Sequence, residues 1–280
     1  MPSKFNKDIT KNAAYTLAKN LGIHYTVYPI QPSVDLTVEE MRGALFSRLD
    51  GSDVETPLKI DDFVIENIQA RDRSSRVLAG IAAGMNAVFS CNGNKTETTV
   101  GYATLYGDVD GFLAPIADLY KFEVYQLAEY INQRAKYDLI PLDSIKVVPS
   151  AELSDAQDVT QGKGDPIKYP YHDRLFRAFV EFRFDPERIL NLYMTEKLEE
   201  TLMIKKGLVK KYFPTTKEFI DDLERWWRLF KINVFKRVQS PPIIAVSRRA
   251  FGYDLRETQL QSSVYFTKKY RALKKDLLRN

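Results

Sequence analysis

Cys91-Asn92-Gly93-Asn94-Lys95-Thr96-Glu97, running on into Gly101-Tyr102-Ala103-Thr104-Leu105-Tyr106-Gly107-Asp108, is the stretch on which the fold turns. It follows a short, apolar, β-prone run, Ala87-Val88-Phe89-Ser90-Cys91, expected as a buried strand. A Gly-hinged loop, two separated carboxylates and clustered aromatics after such a strand give the layout of a phosphate-and-metal site at the carboxyl end of a parallel sheet. No glycine-rich phosphate loop precedes it in the sequence, although a site of this kind calls for one.

Working outward, residues 62–85 predict one long helix, with Leu78, Ile81, Ala82 and Met85 at helical spacing. Residues 9–20 predict another, closed by Gly22, and residues 23–30 a strand. A helix feeding a buried strand is the second half of a βαβ unit. The strand that opens the unit is not in the sequence, so it is expected from elsewhere, or the chain begins inside a larger gene. A helix over 38–48, a polar turn at 50–53 and an amphipathic helix from Lys121 (Val124, Leu127, Ala128, Ile131) complete this part. Residues 140–172 hold Pro141, Pro149, Gly162, Gly164, Pro166 and Pro170 with little periodicity, which predicts a lid loop. The remainder reads as helical. Phe219, Leu223, Trp226, Trp227 and Phe230 form one apolar stripe and Phe266, Tyr270, Leu273 and Leu277 another, both read as packing in the core or at a dimer interface.

At 280 residues the chain can bury a sizeable core. No apolar run approaches the roughly 20 residues that cross a bilayer, and the N-terminus lacks a secretory core. The single cysteine, Cys91, excludes an internal disulfide framework and points to a cytoplasmic location; a buried structural thiol is the expectation for it. Charge is uneven. Residues 1–200 carry 22 basic and 30 acidic side chains, a balance of −8, and residues 201–280 carry 19 and 7, a balance of +12. The basic end suits either nucleotide phosphates or a solvated, self-complementary surface; no zinc-finger or RNP-like motif points to nucleic acid.

Several residues in these segments can carry chemistry. Glu97, three residues after Asn94, is either the reciprocal partner in a helix cap or a Mg²⁺ ligand at a helix N-terminus. Asp108 lies in a tight turn. Lys121 opens a helix, where a cation opposes the dipole unless phosphate is near. Arg71 and Arg73 lie mid-helix beside Asn67, either in ion pairs with Asp72 or Glu66 or on a face reading a dinucleotide. Only two histidines exist, His24 and His172, and no G-x-S-x-G elbow, so acyl transfer by a serine nucleophile is poorly served.

Glu66-Asn67-Ile68-Gln69-Ala70-Arg71, Gly93-Asn94-Lys95-Thr96-Glu97, Gly101 to Asp108, Pro149-Ser150-Ala151-Glu152-Leu153, Gly162-Lys163-Gly164-Asp165-Pro166 and Phe235-Lys236-Arg237-Val238-Gln239-Ser240-Pro241-Pro242 occur in that order. Together they resemble the NAD⁺ synthetase family, in particular the synthetase domain of its glutamine-dependent enzymes, over nearly the whole chain. The resemblance implies an α/β fold, a doubly wound parallel sheet of the adenine-nucleotide α-hydrolase type, here with its first strand missing and a helical C-terminal extension. Residues 1–172 are expected as the incomplete ATP-pyrophosphatase domain with its lid loop, and 173–280 as the extension packing on it.

The implied reaction is ligation in NAD biosynthesis: ATP adenylates the nicotinate carboxylate of deamido-NAD, and ammonia displaces AMP to give NAD⁺. By resemblance, Glu97 matches the Mg²⁺ ligand; Asn92, Lys121 and Ser150 match positions around ATP; Asn67, Arg71 and Lys236 match positions holding deamido-NAD. Asp108 matches a catalytic aspartate near the reacting carboxyl. The implied cofactors are ATP and Mg²⁺. The implied partners are deamido-NAD, ammonia, a glutaminase domain or separate N-terminal piece as nitrogen source, and a second copy in a homodimer.

Three departures stand out: Asn92 replaces the usual Thr or Ser, Phe112 follows Gly111 where Gly-Gly is usual, and the S-G-G-x-D-S pyrophosphate loop is absent. Impaired activity of this chain alone is therefore expected. The other expectation is a non-catalytic dinucleotide-binding or assembly fragment that complements a separate N-terminal piece.

Overall fold

The computed structural model describes residues 1–46, 49–50, 56–252, 255, 257 and 262–279. In chain order these form α1 (Asp8–Leu21), α2 (Gln31–Arg42), β1 (Leu45–Phe46), β2 (Thr56–Pro57), α3 (Asp62–Arg71), a π-helical stretch (Asp72–Leu78) and α4 (Ala79–Gly84). Next come α5 (Lys95–Val100), α6 (Lys121–Ala135), α7 (Leu142–Lys146), α8 (Tyr169–Val180), α9 (Pro186–Met194) and α10 (Leu198–Thr201). The chain continues through α11 (Leu208–Tyr212), α12 (Thr216–Ile232), α13 (Val234–Arg237) and α14 (Lys268–Leu277).

Two compact units divide the chain: Met1–Phe89, Thr104–Asp110 and Tyr125–Pro166 form the first, and Ser90–Ala103, Gly111–Val124 and Ile167–Asn280 the second. In the first, Val34 and Val38 on α2, four residues apart on one helical face, pack with Ile30 and Val77 under Ile60, Ile65, Ile68 and Ile81. The expected helix over 62–85 is present as α3, the π-helical stretch and α4, opened by Asp61, whose carboxylate accepts from the Val64 amide.

The second unit holds the larger core. Phe219, Leu223 and Trp226 of α12 are buried against Leu175, Phe176 and Phe179 of α8, Ile189 and Leu190 of α9, and Tyr270 of α14. The two aromatic stripes therefore do pack in a core. α12 opens with a reciprocal cap between Thr215 and Glu218. His172 lies wholly buried in this core, its Nδ1 accepting from the Lys168 amide and its Nε2 2.9 Å from Asp222.

Strand content departs from expectation. Among the described residues β1 and β2 pair antiparallel, and parallel pairing is confined to isolated bridges, including Ser90 with Leu113 and Ala114 with Ile243. Residues 23–30 are not a strand. Ile23, Tyr25 and Val27 are exposed, and between residues 24 and 29 no backbone hydrogen bond forms with a described residue. Residues 87–91 are not a buried strand either, since Val88 is 65% exposed and only Ser90 bridges; Cys91 itself is buried. β-branched and aromatic residues favour extended backbone, but a strand requires a neighbour to complete its ladder. The helix expected over 38–48 lies earlier, at α2, with Pro32 in its first turn; Ser47, Arg48 and the turn residues Gly51, Ser52 and Asp53 fall outside the described residues. No helix among the described residues is long and apolar enough to cross a membrane.

Candidate functional site

In the second unit, the six-residue helix α5 positions Glu97. Asn94 Oδ1 accepts from the Glu97 amide and Glu97 Oε2 from the Asn94 amide, both at 3.1 Å, so the cap expected from the Asn94–Glu97 spacing is realised. The same carboxylate turns its other oxygen outward from the cap. Oε1 accepts from the Tyr169 hydroxyl at 3.3 Å and lies 3.8 Å from Lys121 Nζ. Lys121 is the first residue of α6, and its ammonium is 5.4 Å from the Tyr169 ring centroid. A carboxylate and an ammonium thus stand together at two helix N-termini, where partial positive charge favours an anion.

Buried polar groups hold the two helix starts. Lys95, fully buried, lies 2.9 Å from Asp118 Oδ1 and 3.5 Å from Glu181 Oε1, and donates to Ser247 Oγ at 2.8 Å. Burial alone would raise the Asp118 carboxyl; Lys95 and the amides of Ser247 and Val246 hold it below the ordinary carboxylate range. Asp173, also buried, accepts from Thr96 Oγ1 at 2.6 Å and from the Phe122 amide at 2.8 Å. Desolvation dominates there and pushes the Asp173 carboxyl up to about 6.

The far end of α5 is equally constrained. Gly101 closes it at φ +62°, and a Cβ there would sit 2.5 Å from Asn233 Cβ, so only glycine fits. Asn233 Nδ2 donates to Val100 O, Arg237 to Thr99 O, and Lys236 Nζ to Gly101 O (2.8 Å) and Ala103 O (2.6 Å). Lys236 is therefore engaged with backbone carbonyls just past the helix carrying Glu97. Asn92 is exposed and accepts from Ser90 Oγ at 3.0 Å; the Phe112 ring is exposed too.

The first unit gathers a second set around the 104–110 turn. Asn67 Oδ1 accepts from Thr104 Oγ1 at 2.9 Å, Arg71 Nε donates to Leu105 O at 3.2 Å, and Ser75 donates to Tyr106 O. Asp108 Oδ1 accepts from the Thr104 amide at 2.6 Å, closing a turn in which Tyr106 adopts φ +62°. A Cβ on Gly107 would lie 3.0 Å from Ala70 Cβ, so glycine admits the turn against α3. Arg73 turns away to Met1 O and Asn6, and Asp72 pairs with Arg76 rather than with Arg71 or Arg73. Ser150 Oγ donates to Gln157 O at 2.7 Å and accepts from the Glu152 amide, away from that turn in the hydrogen-bond network.

The structure thus joins Glu97 with Lys121, and Asn67 and Arg71 with the turn closed by Asp108. Thr96, Tyr169 and Asp173 were not singled out in the sequence. Thr96 stands inside the Gly93–Glu97 motif, but Tyr169 lies 72 positions from Glu97 and Asp173 77 from Thr96, and no local spacing announces them. Among the described residues no group of three or more His, Cys, Asp or Glu side chains could hold a metal ion. The donor chemistry at Glu97, one carboxylate at a helix N-terminus, suits Mg²⁺ carried in on phosphate and not an all-protein cage.

The NAD synthase family pattern matches residues 1–214. A glutamine-dependent NAD(+) synthetase from Thermotoga maritima is 31% identical over 258 residues, covering 91% of this chain and 38% of its own length. An NH(3)-dependent NAD(+) synthetase from Pyrococcus horikoshii is 30% identical over 226 residues, covering 79% of this chain and 77% of its own. A crystal structure of a glutamine-dependent NAD(+) synthetase from Cytophaga hutchinsonii superposes with a TM-score of 0.64 at 20% identity, over 98% of this chain and 39% of that one, which shows likeness of fold. The chain thus spans about two fifths of the Thermotoga relative. With three quarters of its length inside the family pattern, this chain belongs to the NAD synthase family.

Proposed function

We propose that the chain carries the synthetase chemistry of NAD biosynthesis, the ATP-dependent amidation of deamido-NAD to NAD⁺. In the first step a carboxylate oxygen of deamido-NAD attacks the α-phosphorus of ATP, the bond to the β-phosphate oxygen breaks, and pyrophosphate leaves. In the second, ammonia attacks the acyl carbon, the acyl–oxygen bond to AMP breaks, and the attacking nitrogen sheds a proton. AMP is a far better leaving group than oxide, which is why the acid is adenylated first.

The observation that carries the reading is the Glu97–Lys121 pair at two helix N-termini. Lys121 and the helix ends offer positive charge to the leaving pyrophosphate. Glu97 is assigned the metal, and Mg²⁺ supplies screening of phosphate charge when bound. Asn92 and Ser150 are assigned to ATP, and Asn67, Arg71 and Lys236 to deamido-NAD. Asp108 is assigned the catalytic place beside the reacting carboxyl, where a carboxylate can take the proton that ammonia loses. We further assign the doubly wound sheet, a lid over 140–172 short of its last residues, Tyr169 to His172, which belong to α8, a cytoplasmic location and a homodimer to the same reading, with nitrogen supplied as ammonia or by a glutaminase domain.

The 280 residues alone contain no S-G-G-x-D-S loop, so low turnover by the isolated polypeptide is expected. The exposed run Ile23, Tyr25, Val27 favours a second reading, in which the chain binds dinucleotide and is completed by a separate N-terminal piece. NAD⁺ formation from ATP, Mg²⁺, deamido-NAD and ammonia, measured with and without such a piece, tests both. Brisk turnover by the chain alone sinks the impairment; no turnover and no Mg·ATP binding under either condition sinks the synthetase reading.

A further inference from the structure

Residue 120, immediately before α6, is tyrosine, whose long side chain cannot fold back to accept from the opening amides of the helix. The Tyr120 amide is met by Glu123 at 2.9 Å, but the next two are met from elsewhere in the second unit. Thr96 Oγ1, on α5, accepts from the Lys121 amide at 3.0 Å and donates to Asp173 Oδ1 at 2.6 Å. Asp173 Oδ2, on α8, accepts from the Phe122 amide at 2.8 Å. Thr96 is fully buried and Asp173 is 1% exposed, so neither is replaced by bulk water. One turn earlier on α8, Tyr169 donates to Glu97. Of two residues four apart on one helix face, Tyr169 therefore reaches Glu97 directly, and Asp173 reaches the Lys121 backbone through Thr96 and the neighbouring Phe122 amide.

We infer that Asp173 is a positioning residue for this pair: through Thr96 and the Phe122 amide it sets the first turn of α6 against α5, and so sets where Lys121 presents its ammonium. A cap donated by the helix's own preceding residue would meet one amide, at the second or third helical position, without registering α6 on α5. The borrowed cap does both. The inference rests on the reading of Glu97 and Lys121 as the magnesium–nucleotide site.

The test uses the full chain, with calorimetry of Mg·ATP binding and amide exchange at Lys121 and Phe122 measured without nucleotide. Asp173→Ala and Thr96→Val are expected to weaken Mg·ATP binding about tenfold, the usual scale for a supporting contact behind a ligand. Both should speed exchange at Lys121 and Phe122 while leaving α12 unchanged. Thr96→Ser, which keeps the hydroxyl, should restore both readouts. Should Asp173→Ala fail to fold, Thr96→Val and its serine rescue decide the matter by themselves. Binding and exchange in Thr96→Val or a folded Asp173→Ala equal to those of the unaltered chain would overturn the positioning role alone. An unaltered chain that takes up no Mg·ATP would overturn the site reading and the inference together.

Discussion

The Lys121 ammonium stands 3.8 Å from Glu97 Oε1, the side chain of one helix-opening residue reaching the third residue of another. A lysine at the positive end of its own helix is electrostatically misplaced unless negative charge is at hand. Glu97 supplies part of that charge, and a bound polyphosphate would supply more.

Glu97→Gln separates the two jobs of this side chain. The amide oxygen still accepts from the Asn94 amide, so unfolding free energy should change by no more than about 0.5 kcal/mol. The charge is lost, and Mg·ATP affinity should fall at least about tenfold. Glu97→Ala should lose affinity to the same degree and, in addition, about 1 kcal/mol of stability. Calorimetry and urea unfolding on the same samples resolve the difference.

Lys95→Met should be among the most damaging single changes. It leaves Asp118 and Glu181 without their shared cation in a buried setting, a loss of about 3–5 kcal/mol. Asp118→Asn combined with Lys95→Met should be milder than the two losses added, because the orphaned charge is gone. Chemical denaturation of the three variants measures the coupling.

Gly101→Ala should destabilise by about 2 kcal/mol or more, because φ +62° disfavours a side chain and the added methyl meets Asn233 at 2.5 Å. Asn233→Gly in the same background, which removes that Cβ, should relieve the clash while losing the bond to Val100 O, so the double variant should fall short of additivity. Thermal melts suffice to check this.

Acidity enters through Asp173. Its carboxyl holds its proton up to about 6 in the folded chain against 3.8 ordinarily, so between those values the folded state binds more protons than the unfolded one. Its contribution to stability is present below about pH 4 and is lost as pH rises through 6, with an upper bound of about 3 kcal/mol. Asp118 runs the opposite way, its depressed pKa adding stability above the unfolded value and losing it in acid. Urea unfolding of Asp173→Asn and the unaltered chain from pH 4 to 7 should give curves whose difference shrinks with falling pH. A constant offset would contradict the assignment.

What was legible in the sequence was local. Asn94 and Glu97 are three residues apart, and the reciprocal cap follows from that spacing alone. Gly22 closes α1, and the α12 stripe of Phe219, Leu223 and Trp226 is buried, because a single helix face records both. Residues 23–30 misled because extended propensity belongs to one segment while strand pairing belongs to two. Pro32 was the better start signal for α2 than the apolar spacing around Val38. Of the candidate site residues, Glu97 and Lys121 could be named from type and motif, yet their approach could not. Nor could Asp173, whose partners Thr96 and Phe122 are 77 and 51 positions away.

Six residues are too few to sustain a helix in water unaided, and every turn of α5 is held by something remote in sequence: Thr96 by Asp173, Thr99 and Val100 by Arg237 and Asn233, Lys95 by Asp118. Its conformation is inherited, not intrinsic. A synthetic peptide copying residues 90–103 would be shapeless, and the segment's geometry would vanish with the tertiary scaffold rather than outlast it as a local nucleus.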